Sequence, residues 1–108
     1  MANLESVRAR LLRRRVLELL RIARQTGREG WIAPRALFQF LYDETDGLTE
    51  GETRDAVLYL ADKRYAEVRD LRERKSAPEA LQGRITAAGI DLLEASVPPD
   101  PGIEDPRP

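Results

Sequence analysis

The chain contains no cysteine and no histidine among its 108 residues. These two absences exclude a disulfide framework, a thiol nucleophile, a zinc site built from the usual cysteine and histidine ligands, and an imidazole base. The residues that remain form no recognisable catalytic constellation. We therefore predict a protein that is not an enzyme, with no cofactor and no metal ion.

Long apolar runs are also absent from the sequence. No segment approaches the roughly 20 apolar residues that cross a bilayer, and the first residues, MANLESVRARLLRRR, are charged where a signal peptide needs an unbroken apolar stretch. We expect a cytoplasmic protein with no membrane contact. At 42% hydrophobic and 34% charged residues, the chain is long enough for one core and too short for two ordinary domains.

The net charge of −1 conceals a strong segregation of charge along the chain. Residues 1–28 carry eight Arg against two Glu, a balance of +6, and residues 29–62 carry two Arg against eight acids, a balance of −6. Residues 63–84 are positive again at +3, and residues 85–108 stand at −4. Segregated charge can steer an anionic ligand even when the net charge is near zero. The alternative is that the arginines of the first block only solubilise helix faces.

The segment Leu4 to Gln25 lacks Gly and Pro and is rich in Leu and Arg, which predicts a helix of about six turns. At 100° per residue, one apolar stripe faces the core. A second apolar shoulder makes the arc wider than one core contact requires, which indicates a partner helix. The stripe comprises Leu12, Val16, Leu19, Leu20 and Ala23, and the shoulder comprises Leu4, Val7, Leu11 and Ile22.

Two further helices are predicted downstream. Trp31-Ile32 is typical of a one-bridge strand, and a second helix then runs from Pro34 to Tyr42 with proline in its first turn. Its spacing predicts that Leu37, Phe40 and Leu41 are buried, and we also expect Trp31 and Tyr42 to belong to the core.

A polar turn follows, and Thr49 with Glu52 then forms a capping box that begins a third helix. This helix should reach about Arg64. Its outward residues are predicted to be Arg54, Asp55, Leu58, Tyr59 and Asp62.

The remainder of the chain predicts a hairpin, a short helix and a tail. A charged strand begins at Ala66, a return strand spans about Leu81 to Ile85, and Thr86 can cap a fourth helix. We assign residues 1–97 to one domain. Residues 98–108, rich in proline and acids, are expected to be extended or disordered.

Two segments carry a resemblance to a known family. KRYAEVRDL and GRITAAGIDLLE resemble the wing and closing helix of small winged helix-turn-helix regulators of the MarR, PadR and ArsR type, closest to short winged-helix proteins of bacteriophages and prophages. The resemblance covers about residues 31–103. It implies an α+β, mainly α fold in the order helix 1, short strand, helix 2, helix 3, β-hairpin wing, helix 4.

The resemblance also implies a function. In such families helix 3 enters the major groove and the wing touches adjacent phosphates or the minor groove. By position, Arg54 and Tyr59 would read double-stranded DNA, and Arg72, Arg74 and Lys75 would be the wing contacts. The expected protein is a bacterial or phage transcriptional regulator that binds a specific sequence as a homodimer through helix 1, with helix 4 as a further candidate for the interface.

The sequence departs from this pattern on helix 3, where Glu50, Glu52, Asp55 and Asp62 would face phosphates and repel them. The competing hypothesis is a winged-helix interaction module that binds a protein partner through this acidic face, as an adaptor in a phage or regulatory assembly, and does not bind DNA.

Overall fold

The computed structural model describes residues 4–26, 29–70 and 81–105. This part of the chain is α+β and mainly helical, with four helices and one two-stranded antiparallel sheet. The order of elements agrees with the predicted order. Within the described ranges, no helix is both long and apolar enough to cross a bilayer. The elements are α1 (Leu4–Gln25), α2 (Pro34–Leu41), α3 (Glu50–Asp62), β1 (Ala66–Asp70), β2 (Leu81–Ile85) and α4 (Ala87–Leu93).

Helix α1 lies at the centre of the fold and contacts α3, α4 and β2. Its predicted stripe is largely confirmed, because Leu12, Val16 and Leu20 are buried. Leu17, which the stripe did not include, is completely buried as well. On the second shoulder, Leu11 and Ile22 are exposed. The core therefore occupies one side of α1 and leaves part of its apolar arc on the surface.

Helix α2 is rotated differently from the prediction. Leu37 and Leu41 are buried as expected, but Phe40 is 67% exposed. Phe38 packs against the core instead, and Tyr42 is also exposed, with its ring 6.0 Å from that of Phe38. Phe38 and Phe40 flank the Leu37–Leu41 line on opposite sides of the helix, so only one of the two rings can turn inward.

The predicted caps are confirmed at both later helices. The Thr49 hydroxyl accepts a hydrogen bond from the backbone N–H of Glu52 at 3.1 Å, and the Glu52 carboxylate accepts one from the N–H of Thr49 at 3.3 Å. At α4, the Thr86 hydroxyl accepts from the N–H of Gly89 at 3.2 Å. These bonds satisfy N–H groups that the first turn of a helix leaves free.

The hairpin pairs in a continuous register from Ala66 opposite Ile85 to Asp70 opposite Leu81. Ile32 adds a single bridge on the far side of β2, exchanging backbone hydrogen bonds of 3.0 and 2.9 Å with Gly83. The inner face of the hairpin is buried through Ala66 and Ile85. The hairpin thereby rests on the helices by one face, and residues 71–80 lie outside the described part of the chain.

The last segment, residues 94–105, follows α4 and contains a turn in which the backbone N–H of Ile103 donates to the carbonyl of Asp100 at 3.0 Å. Ile103 is buried in the same core as α1, the backbone N–H of Glu104 donates to the carbonyl of Arg10 at 3.1 Å, and Arg13 donates to the carbonyl of Gly102 at 3.0 Å. These contacts place Ile103 and its neighbours against α1. One isoleucine among prolines and acids provides the apolar contact that composition averaged over the segment does not reveal.

Helix α4 packs closely against its neighbours at Gly89. A Cβ added there would overlap the backbone carbonyl of Tyr65 and lie 2.7 Å from Cγ1 of Ile85. We expect Gly89→Ala to lower the free energy of unfolding by about 2 kcal/mol or more, because a backbone group would have to move. Urea denaturation measures the change.

The matched control is Gly51→Ala on α3, where the nearest atom to an added Cβ is the Thr49 hydroxyl at 3.8 Å. Because this site is open, the control should keep or slightly raise stability, by up to about 1 kcal/mol. Equal effects of the two substitutions would contradict the packing of α4.

Tyr65, which directly precedes β1, forms a hydrogen bond with Asp100 in the segment after α4. Because this bond needs the phenol proton, we expect the stability of the protein to fall at high pH. The Tyr65 hydroxyl donates to the Asp100 carboxylate at 2.8 Å, and burial together with this bond raises the pKa of Tyr65 to about 12 from 10.0. Since the folded state holds this proton more tightly, the bond's contribution to stability is complete below pH 10 and is lost as the pH rises towards 12.

Tyr65→Phe should lower the free energy of unfolding by about 1 kcal/mol at neutral pH and lose less stability than the natural chain between pH 10 and 12. The melting temperature of both proteins is measured between pH 10 and 12. If it falls equally steeply with pH in the natural chain and in Tyr65→Phe, the bond to Asp100 is absent in solution.

Candidate nucleic-acid interface

The arginines of α1 are largely engaged within the fold. Arg8 donates to both carboxylate oxygens of Glu52, at 2.8 and 3.1 Å, and Arg15 does the same to Glu44, at 2.9 and 3.0 Å. Glu44 and Glu52 both belong to the acidic block of residues 29–62. Charge segregation in the sequence is thus partly cancelled in space, because the basic helix packs beside the acidic segment. Three more arginines of α1 have partners outside the acidic block: Arg21 with Glu94, Arg24 with the carbonyl of Ile85, and Arg14 with Glu18.

The ion pairs lower the pKa of the two carboxyl groups that they contain. The hydrogen bond from Arg15 lowers the pKa of Glu44, and the hydrogen bond from Arg8 lowers the pKa of Glu52. In both cases the attraction between opposite charges adds to the effect. The two carboxylates are therefore ionised partners of α1 at neutral pH, rather than free negative charges.

The outward face of α3 contains one exposed cation. Arg54 is exposed and forms no ion pair with a described residue. Asp55, Leu58 and Asp62 share its face of the helix. Of the four acids that the sequence places near this face, Glu52 is held by Arg8, and Glu50 lies 3.7 Å from Arg35. The acids of the first turn are thus compensated, whereas Asp55 and Asp62 remain on the surface.

Tyr59, the second predicted reader on α3, occupies a different environment. It is half-buried, with the guanidinium of Arg13 3.6 Å from its ring centroid. Its hydroxyl lies against Gly102, where an added Cβ would overlap it. The structure therefore separates the two predicted readers. Arg54 faces solvent, whereas Tyr59 lies between α1 and the segment that follows α4. The remaining predicted site residues, Arg72, Arg74 and Lys75, lie outside the described residues.

A cluster that the sequence interpretation missed lies on the outer face of the hairpin. Two guanidiniums stack on Trp31, that of Arg69 from β1 at 4.3 Å and that of Arg84 from β2 at 4.4 Å from the ring centroid. The expectation that Trp31 closes the core is wrong: the ring is half-buried beside the sheet. Strand alternation could have indicated the two arginines, since Arg69 and Arg84 both point away from the buried face of Ala66 and Ile85.

Comparison with models of protein families, with curated proteins and with solved structures finds no match to this chain.

The engagement of α1 can be tested at Glu44. In the natural chain its pKa should lie below the ordinary 4.5, and Arg15→Gln should move it back towards that value, since the hydrogen bond from Arg15 is the main cause of the shift. Carboxyl carbon NMR over an acid titration measures this pKa directly. Because a lowered carboxyl pKa adds stability that is lost as the pH falls through it, Arg15→Gln should also flatten the acid limb of the stability curve. Arg54→Gln is the matched control and should leave Glu44 unchanged; identical titrations in the Arg15 variant would contradict the pairing.

Proposed function

We propose that this chain is a winged helix-turn-helix protein that binds double-stranded DNA and acts as a bacterial or phage transcriptional regulator. In this proposal α3 is the recognition helix, and the hairpin of β1 and β2 is the wing. The order of elements, the single bridge of Ile32 to the hairpin and the tight capping of α3 are all compatible with this fold. A helix of this kind fits the major groove, which is about 12 Å wide.

The observation that supports DNA binding best is the compensation of the acids at the start of α3. Taken as free charges, Glu50 and Glu52 would repel phosphates. Paired with Arg35 and Arg8, they contribute much less field to the surface, and Arg54 stands beside them as an exposed donor. A guanidinium at such a position matches the O6 and N7 acceptors of guanine.

The proposal includes a homodimer through α1. Leu11 is 48% exposed and Ile22 is 54% exposed on this helix, so a further helix can still be buried against it. A two-fold arrangement would place two copies of α3 on a symmetric operator.

A second candidate function is a protein interaction module that does not bind DNA. The exposed rings of Phe40 and Tyr42 on and beside α2 favour it, because aromatic residues are enriched in protein interfaces. Two of the four acids of α3 on which this alternative depends, Glu50 and Glu52, have partners within the chain, which weakens it.

Binding of a labelled duplex at increasing salt tests the leading proposal. If each subunit makes about four phosphate contacts, the logarithm of the affinity should fall with the logarithm of salt concentration with a slope of roughly −7 for the dimer. Replacing Arg72, Arg74 and Lys75 with Glu should abolish retention of the duplex, and Arg54→Gln should relax sequence preference at one base position.

Arg15→Gln is the matched control, because it also removes one positive charge, but from a side chain that is already paired with Glu44. It should leave affinity nearly unchanged. A natural chain that retains no duplex from a sequence library at low salt would contradict DNA binding and favour the interaction module.

A further inference from the structure

We propose that the free edge of β1 is a self-association surface, at which Val68 pairs with Val68 of a second copy of this chain in an antiparallel β-ladder. The surface goes beyond the proposed function, because it requires neither DNA nor the contact through α1. It depends on the backbone of Val68 and on the charges of Glu67 and Arg69, all of which lie within β1.

Strand β1 has one partner strand in the described part of the chain. The sheet has two strands, and the further bridge of Ile32 joins Gly83 of β2 rather than β1. The opposite edge of the sheet is therefore formed by β1, and its residues from Glu67 to Asp70 are exposed. An exposed strand edge presents backbone N–H and C=O groups that a further strand can bind.

The register shows which backbone groups of β1 point to this edge. Val68 lies opposite Gly83, and Gly83 exchanges hydrogen bonds of 3.0 and 2.9 Å with Ile32 on the far side of β2. Residues opposite each other in an antiparallel ladder direct their backbone groups either towards each other or away from each other. Because those of Gly83 point away from β1, the N–H and C=O of Val68 point away from β2, to the free edge. No other described residue supplies a backbone partner for them.

Antiparallel pairing of two copies with Val68 on the two-fold axis brings opposite charges together. Glu67 of one chain then lies opposite Arg69 of the second copy, and the symmetry repeats this contact on the other side of the axis. A shift by two residues in either direction would put Glu67 opposite Glu67, or Arg69 opposite Arg69. Like charges directly opposite each other destabilise a strand pair. Charge therefore favours one register of self-pairing over its neighbours.

The two charged side chains are placed to make these contacts. Glu67 is bonded to Arg84, and Arg69 donates through Nε to Gln82 at 2.8 Å while its guanidinium stacks on Trp31. The terminal nitrogens of Arg69 donate to no described residue, so they can donate to Glu67 across the axis. Pairing would produce a cross-strand row of Arg84, Glu67, Arg69 and Gln82, the last two from the second copy. Each Glu67 would then stand between two guanidiniums.

The other face of this ladder is apolar at its centre. Val68 is 38% exposed, although it stands on the same face of the strand as the buried Ala66. Self-pairing would place two Val68 side chains side by side and remove both from water. Because Ala66 is buried, the contact is confined to Glu67–Asp70, which is much smaller than the interface of a stable dimer. We therefore expect a weak association that depends on protein concentration.

A second two-fold contact would change the assembly that the chain can form. The homodimer proposed above uses α1, whereas this surface is on the hairpin. A chain with both contacts would join one dimer to the next through β1.

The simpler explanation is that the charges of β1 only protect the edge, since charged side chains commonly keep exposed strands from pairing. In that case two chains would not meet at Val68, and reversing one charge of β1 would not change self-association. The two explanations therefore predict different rates of cross-linking at this position.

The experiment introduces a single thiol at the proposed axis, which is possible because the chain has no cysteine. The Cα atoms of a hydrogen-bonded antiparallel pair lie about 5.5 Å apart, within the range that a disulfide spans. In mild oxidant and without DNA, the full chain with Val68→Cys should form a covalent dimer roughly tenfold faster than the control Leu58→Cys. Leu58, on α3, is exposed to a similar degree, 41% against 38% for Val68.

Charge reversal in the Val68→Cys background tests the register. Glu67→Arg should slow the cross-linking to about the rate of the control, and Arg69→Glu should do the same, because each places like charges opposite each other. An equal mixture of the two variants should restore the fast rate as a mixed dimer, since their charges are complementary. Loss of folding in either variant would give no such rescue.

The melting temperature of each variant is measured in parallel. If a charge variant does not fold, the amide resonances of the natural chain are followed over a roughly hundredfold range of concentration, and those of Glu67, Val68 and Arg69 should shift. Absence of these shifts overturns the surface. So does cross-linking of Val68→Cys no faster than that of Leu58→Cys, or a mixture of folded variants without rescue, and the edge would then be left to an extended segment of another protein. Binding of the labelled duplex is measured separately, so the proposed function and this surface can fail independently.

Discussion

The packing of α1 across the molecule is the interaction on which the rest of the structure depends. Its buried side, with Leu12, Val16, Leu17 and Leu20, faces α3, α4 and β2, and the segment after α4 reaches the same core through Ile103. Acids from other segments pair with some of the arginines on this helix. The pairs of Arg8 with Glu52 and of Arg15 with Glu44 join segments far apart in the sequence.

The pairing divides the positive charge of the chain into two sets with different roles. On α1, carboxylates or backbone carbonyls hold most of the guanidiniums, whereas the buried Nε of Arg10 has no hydrogen-bond partner among the described residues. On the hairpin, Arg69 and Arg84 stack on the ring of Trp31, and on α3 Arg54 faces solvent. The near-zero net charge therefore hides cations with different surroundings, most of them engaged on α1 and one exposed on α3.

Features encoded by neighbouring residues were predictable from the sequence. The span of α1, the capping box of Thr49 and Glu52, and the return strand Leu81–Ile85 all follow from local propensity and spacing, and the structure agrees with them. Features that depend on contacts between distant parts of the chain could not be predicted from the sequence. The exposure of Phe40 depends on how α2 is turned against α3, the position of Trp31 depends on two arginines from another part of the chain, and the fixing of the last segment depends on a core site for Ile103. No local pattern distinguishes these outcomes, because each is decided by the space that other elements leave.

The most direct test of this division of charge is an NMR map of the isotopically labelled chain with and without a short DNA duplex. The account predicts that the resonances that move belong to the outward face of α3 and to the hairpin, while the arginine side chains of α1 that pair with Glu44 and Glu52 keep their positions. Shifts centred on those α1 arginines, or on Phe40 and Tyr42 alone, would contradict it.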